Sequence, residues 1–146
     1  MLEVAVLQNF IGGKWMDASS GKVEEVYNPA TGEVLAHVPH SSQKDVELAV
    51  AAAKEAFAEW SRTPVPKRAR MMFKYHQLLV EHWDELAQMV TKENGKNYTE
   101  AYGEVLRGIE CVEFAAGAPT LMMGSVLPDI ATGIESGFYR YPLGVV

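Results

Sequence analysis

Arg107 is the residue of this sequence whose type and neighbours most favour a binding role. In a helix it would lie one turn after Gly103 and two turns before Phe114, with open space and an aromatic ring beside its guanidinium. Arginine binds carboxylates and phosphates through two parallel hydrogen bonds. Glu104 and Glu110 lie three residues to either side, so an ordinary ion pair within the helix is the simpler interpretation. The residues alone leave both interpretations open.

The single cysteine and the histidines do not have the setting of catalytic or metal-binding groups. A catalytic cysteine usually lies beside an activating base or at a helix N-terminus, whereas Cys111 falls in the middle of a predicted helix. We interpret it as an inert, packed thiol. The spacing of the histidines does not match a metal site: His37, His40, His76 and His82. The sequence therefore predicts no catalytic residue and no bound metal.

Basic residues cluster where the second predicted helix begins: Arg62, Lys67, Arg68, Arg70 and Lys74. They are the best signal for nucleic-acid binding, but the formal net charge of −6 argues against a basic field over the molecule. We interpret them as a solvated helix face. The sequence also lacks a G-x-G-x-x-G turn after a strand and a phosphate-binding G-x-x-x-x-G-K-[ST] loop.

The composition is that of a soluble globular protein with room for one domain in 146 residues, 48 % of them hydrophobic and 22 % charged. One cysteine excludes an internal disulfide and favours a reducing, cytoplasmic setting. The N-terminus lacks the basic segment of a signal peptide. The longest apolar run, Leu48–Ala53, is too short to cross a membrane, so we expect no membrane partner.

Short strands and turns open the chain. Gly12 and Gly13 between Asn9–Ile11 and Lys14–Trp15 predict a tight hairpin. Residues 23–27 and 33–38 are two more strand candidates, joined by a turn over 28–32.

Three helices are predicted next. The first runs from about Ser42 to Trp60, with Ser41 or Ser42 as its N-cap. The second starts at Thr63, an N-cap followed by a proline, and ends at Asn94–Gly95. The third runs from Tyr98 to Met122, with a kink before Pro119. In this third helix Val105, Ile109, Val112 and Ala116 predict a buried stripe, opposite the stripe that carries Arg107.

The end of the chain changes pattern. Gly137–Tyr141 predicts a strand, and the apolar residues 143–146 are typical of the opening of a buried strand whose remainder is missing.

The same segments resemble the N-terminal region of NAD(P)-dependent aldehyde dehydrogenases. The resemblance lies in residues 9–15, 28–34, 45–60 and 114–117, in this order over essentially the whole chain. Residues 103–110, 112–115 and 117–119 are similar to the CoA-acylating branch, which acts on methylmalonate and malonate semialdehyde. Residues 139–146 resemble the junction before the first dinucleotide-binding strand of this family.

The resemblance implies an α/β fold made of the N-terminal strands and three helices of a dinucleotide-binding domain, plus an extended oligomerisation strand segment. Residues 1–122 would belong to the NAD-binding domain, 123–141 to the oligomerisation segment, and 142–146 would start a truncated dinucleotide-binding strand. It also implies a homo-oligomer, a dimer or a homotetramer.

For function, the resemblance implies oxidation of a small semialdehyde with NAD and CoA, yielding propionyl-CoA or acetyl-CoA. The family's catalytic cysteine, its general base and its main NAD contacts would lie beyond Val146, and Cys111 matches none of them. Arg107 matches the arginine that would hold the carboxylate of the substrate. The 146 residues alone are therefore expected to be inactive. The alternative function is a small stand-alone helical module that binds another protein or a nucleic acid through residues 62–74.

Overall fold

Two β-hairpins open the part of the chain that the computed structural model describes, residues 4–146. Strands β1 (Asn9–Ile11) and β2 (Lys14–Met16) pair antiparallel. The two glycines between them have φ of 58° and 79°, as a two-residue turn requires. Strands β3 (Val23–Tyr27) and β4 (Val34–Pro39) form the second antiparallel pair. The predicted hairpin at Gly12 and Gly13 is confirmed, and so are the two strand candidates joined by a turn.

Helix α1 (Gln43–Trp60) begins at the predicted cap. The Ser42 side chain accepts a hydrogen bond from the backbone of Asp45, and the Asp45 carboxylate accepts one from the Ser42 backbone at 2.7 Å. The same carboxylate accepts the hydroxyl of Ser19 at 3.0 Å, which ties the loop before β3 to the helix. These bonds, led by the one from the Ser42 backbone, hold the pKa of the buried Asp45 below its usual value.

The second predicted helix is two helices, α2 (Val65–Glu81) and α3 (Trp83–Asn94), so the prediction of one continuous helix is wrong. The break lies at His82, whose φ of −103° and ψ of 14° are not helical. The indole of Trp83, the first residue of α3, donates to the carbonyl of Tyr102 on α4 at 2.8 Å. The N-cap of α2 is Pro64, not Thr63. Apolar periodicity does not register a break at a single residue when apolar residues continue at helical spacing on both sides of it.

The third predicted helix is α4 (Tyr98–Ala116) followed by the short α5 (Ala118–Leu121). They separate at Gly117, so the predicted kink before Pro119 is confirmed, because proline cannot donate to the carbonyl four residues earlier. The predicted buried stripe is confirmed in part by Ile109 and Ala116, which are buried, while Val105 and Val112 are half-buried. The buried apolar residues of the described chain are four alanines and one isoleucine: Ala69, Ala87, Ala101, Ala116 and Ile109. They lie where α2, α3 and α4 meet.

Strands β5 (Ser125–Ala131) and β6 (Ile134–Phe138) form a third hairpin whose residues are all exposed. The predicted strand over 137–141 is wrong beyond Phe138, where β6 ends. Residues 143–146 form no strand, and Leu143 is 96 % exposed, because nothing in residues 4–146 pairs with them. The first three residues of the predicted segment 1–122 lie outside the described residues.

The mixture of strands and helices agrees with the predicted α/β class. Among residues 4–146, no helix combines the length and the apolar character needed to cross a membrane.

Candidate functional site

Helix α4 presents Arg107 on the side that faces away from the helical core. Asn97 caps the helix by accepting the backbone N–H of Glu100 at 3.0 Å. Ala101 and Ile109 are buried on the inner side, so the stripe that contains Arg107 faces outward. Phe114 on this outer stripe is 70 % exposed. The sequence prediction of two distinct faces on this helix agrees with the structure.

An open cavity of about 660 Å³ lies beside this stripe. Its lining residues come from the end of the α3–α4 turn and the first turns of α4: Lys96, Glu100, Gly103, Glu104 and Arg107. A Cβ atom added at Gly103 would meet no atom within 4 Å, so the helix surface next to Arg107 is open. A planar anion therefore has access to the guanidinium from this side.

Glu104 does not pair with Arg107. Its carboxylate forms an ion pair with the ammonium group of Lys96 instead. Within residues 4–146, no carboxylate oxygen lies within 4.0 Å of the Arg107 guanidinium nitrogens, those of Glu110 included. The ion pair within the helix, which was the simpler interpretation of the sequence, is not formed in the described chain. This leaves the guanidinium available for a ligand.

Lys96 is the site residue that sequence reasoning missed. It precedes Glu104 by eight residues and follows the end of α3, so helical spacing does not relate the two. Gly95 ends α3 with a left-handed φ of 74°, and α4 starts three residues later at Tyr98. This tight connection brings the lysine to the cavity. Glycine followed by asparagine two residues on is a signal for such a turn, but it does not identify the partner of the lysine.

Aromatic contacts fix α4 against α3 and so fix the position of Arg107. The rings of Trp83 and Tyr102 stack with centroids 4.2 Å apart and an interplanar angle of 10°. The Tyr98 hydroxyl donates to Asp84 at 2.5 Å. This hydrogen bond to a carboxylate is the main cause that raises the pKa of Tyr98 to about 12.

The remaining candidates do not form a second site in the described residues. Cys111 is exposed, not packed as predicted, because the outer side of α4 has no cover in residues 4–146. Three histidines contact single carboxylates: His37 with Glu25, His40 with Glu24 and His82 with Glu85. Residues 4–146 contain no group of three side chains suited to hold a metal ion. The basic residues of α2 are exposed, apart from the half-buried Arg68.

The described residues do not fit a dinucleotide. A nicotinamide dinucleotide binds where a parallel strand leads into the N-terminus of a helix. In residues 4–146 every sheet has two antiparallel strands, and parallel pairing is limited to an isolated bridge between Val6 and His37. No step of a reaction is therefore assigned to an NAD contact in this chain.

Comparison with known proteins defines the class. The model of the aldehyde dehydrogenase family matches residues 15–146. The chain belongs to the aldehyde dehydrogenase family, and the resemblance found in the sequence is confirmed.

Two curated relatives of this chain are named malonate-semialdehyde dehydrogenases. The chain is 72 % identical over 143 residues to malonate-semialdehyde dehydrogenase 2 of Geobacillus kaustophilus, covering 98 % of this chain and 30 % of that protein. It is 71 % identical over 140 residues to malonate-semialdehyde dehydrogenase of Halalkalibacterium halodurans, covering 96 % of this chain and 29 % of that protein.

A solved structure is similar as well. The putative methylmalonate-semialdehyde dehydrogenase of Sinorhizobium meliloti, complexed with NAD, superposes with a TM-score of 0.91 at 38 % identity. The match covers 99 % of this chain and 29 % of that chain. The chain thus spans about 30 % of the length of the curated relatives it matches.

Proposed function

We propose that this chain supplies the N-terminal part of an NAD-dependent, CoA-acylating aldehyde dehydrogenase that oxidises malonate and methylmalonate semialdehyde. The observation that carries the proposal is the 72 % identity to a malonate-semialdehyde dehydrogenase over 98 % of the chain. The name of the solved relative that is complexed with NAD supports the cofactor. CoA as co-substrate rests on the resemblance to the acylating branch. The single cysteine supports a cytoplasmic setting.

Arg107 binds the carboxylate of the semialdehyde in this proposal. Both substrates carry a carboxylate in addition to the aldehyde that reacts. A guanidinium without an ion pair in residues 4–146, beside an open cavity, can donate two charge-assisted hydrogen bonds to that carboxylate. The arrangement orients the aldehyde relative to catalytic groups that residues 4–146 do not contain. Cys111 has no part in the chemistry, because it lies far from the N-terminus of α4 and its neighbour Glu110 disfavours the thiolate.

Residues 123–141 form an interface with another subunit in the same proposal, and the enzyme is a dimer or a homotetramer. The β5–β6 hairpin is exposed on every residue, including the apolar Val126, Ile130 and Ile134. Unpaired strand edges with apolar side chains favour pairing with another chain. Residues 1–122 then belong to the NAD-binding domain, and 142–146 lead into its first dinucleotide-binding strand.

The complete polypeptide that carries these residues tests the proposed activity. With malonate semialdehyde, NAD and CoA, we expect NAD reduction coupled to formation of acetyl-CoA, identified by mass spectrometry. Methylmalonate semialdehyde should give propionyl-CoA. Release of a free acid at the same rate without CoA would contradict the acylating branch. Family membership argues against the alternative of a stand-alone binding module, and no observation favours it.

A further inference from the structure

We propose that Lys96 positions Arg107 for substrate by holding Glu104 away from it. This inference rests on the proposed function of Arg107. Lys96 belongs neither to α4 nor to the reacting groups, and it acts through the carboxylate that it binds. The juxtaposition that carries the proposal is the cavity in which Lys96, Glu104 and Arg107 meet.

Glu104 is the carboxylate best placed to neutralise Arg107. It lies three residues before Arg107 on α4, a spacing at which helical side chains meet and form ion pairs. In the structure its carboxylate contacts the Lys96 ammonium group instead. The lysine side chain is 30 % exposed and that of Glu104 is 55 % exposed, so the pair lies at the partly shielded edge of the cavity. The carboxylate of Glu104 therefore pairs with Lys96 in preference to Arg107.

The local fold fixes Lys96 in this competition. Gly95, with a φ of 74°, precedes it, and the helix cap Asn97 follows it. A Cβ atom on Gly95 would lie 2.9 Å from Cγ of Pro29, so the turn is also packed against the loop between β3 and β4. The backbone of Lys96 is thus held at both ends, and its side chain has a defined starting point beside the cavity.

The charges of the cavity lead to the same conclusion. Its charged lining residues are Lys96, Arg107, Glu100 and Glu104, which sum to zero. Without the lysine the lining carries one net negative charge, and Glu104 becomes free to pair with Arg107. Both effects oppose the approach of an anionic substrate. Removing Lys96 and the charge of Glu104 together restores a neutral lining and an unpaired arginine.

The test compares Lys96→Met with Lys96→Met/Glu104→Gln in the complete enzyme. An exposed helical ion pair is weak, so we expect KM for malonate semialdehyde to rise about two- to fivefold in the single variant, with kcat nearly unchanged. The double variant should return KM to the wild-type value. Propionaldehyde, which has no carboxylate, should show no change in either variant. Lys92→Met, which removes an exposed lysine in the last turn of α3, serves as the matched control.

A KM that does not rise in Lys96→Met, or that stays raised in the double variant, overturns the proposal. The second outcome would mean that the lysine contacts substrate itself. Lys96→Gln replaces Lys96→Met in both proteins if the methionine variant does not fold. A crystal structure of the single variant gives a readout independent of activity: Glu104 should lie within about 4 Å of Arg107. Arg107→Ala, measured in parallel, separates the role of Arg107 from the role of Lys96. If Arg107→Ala weakens the use of carboxylated and other aldehydes equally, the proposed function of Arg107 is refuted. The crystal structure of the Lys96 variant would still test whether Lys96 holds Glu104 away from Arg107.

Discussion

Replacing Arg107 by alanine in the complete enzyme should weaken the use of carboxylated aldehydes and spare other aldehydes. The lost interaction is a pair of charge-assisted hydrogen bonds, each contributing about 1.5–3 kcal/mol. Together the two bonds contribute about 3–6 kcal/mol, and since about 1.4 kcal/mol corresponds to a tenfold change, kcat/KM for malonate semialdehyde should fall by about two to four orders of magnitude. Arg107→Lys should restore only part of the loss, because it keeps the charge and loses the planar fork.

The structure also bounds the side effects of this substitution. Arg107 is exposed and makes no ion pair within residues 4–146, so the free energy of unfolding should change by no more than about 0.5 kcal/mol. Steady-state kinetics with malonate semialdehyde and propionaldehyde, with thermal unfolding of the same preparations, measure both quantities. Arg70→Ala, an exposed arginine on α2, is the matched control. Equal losses with both aldehydes would remove Arg107 from the binding site.

Three further outcomes are expected. The purified 146-residue chain should not reduce NAD with malonate semialdehyde and CoA, since it has neither an activated thiol nor a dinucleotide site in residues 4–146; turnover above background would refute this. The same chain should self-associate through residues 125–141 in sedimentation velocity, whereas a monodisperse monomer that protects this segment from hydrogen exchange would contradict the interface. Because folding lowers the pKa of Asp45, its stabilising contribution is present above the ordinary value of 3.8 and is lost as pH falls through the folded value. Asp45→Asn should therefore be less stable than the parent in urea titrations at neutral pH and converge with it in acid, and a constant difference at all pH values would exclude the linkage.

Local signals in the sequence predicted the elements whose boundaries depend on local chemistry. Gly12 and Gly13 specify the first hairpin because its turn needs two positive φ angles. Ser42 and Asp45 specify the start of α1 because their side chains satisfy the free N–H groups of the first turn. The break at His82 differs from these boundaries because no local signal in the sequence marks it. It separates two helices by a single residue next to Trp83, which contacts α4, and apolar periodicity contains neither the break nor the contact.

The candidate site was predictable to a similar extent. Arg107 stands out in the sequence by its residue type, its place on the outer stripe and its match to a family branch. The sequence offered two carboxylates as partners within helical reach, and local spacing favoured that pairing. The actual partner of Glu104 is Lys96, which the turn at Gly95 brings to the cavity. Because the turn between α3 and α4 sets the contact of Lys96 with Glu104, no helical spacing in the sequence reveals it.

The strength with which Arg107 binds a carboxylate depends on whether another part of the enzyme covers the outer side of α4. An exposed pair of a guanidinium and a carboxylate in water contributes about 0–1 kcal/mol, which is too little for strong discrimination between aldehydes. Arg107 shares its stripe with Phe114, which is 70 % exposed, and an apolar ring on a helix face favours burial against another surface. The solved relative has about 70 % of its length outside the match with this chain, so it has chain enough to provide such a cover. Once covered, the guanidinium and the substrate carboxylate would interact with little competing water, and their attraction would increase severalfold. The residues described here would then supply the recognition group, and the surrounding polypeptide would supply the low polarity that makes it effective.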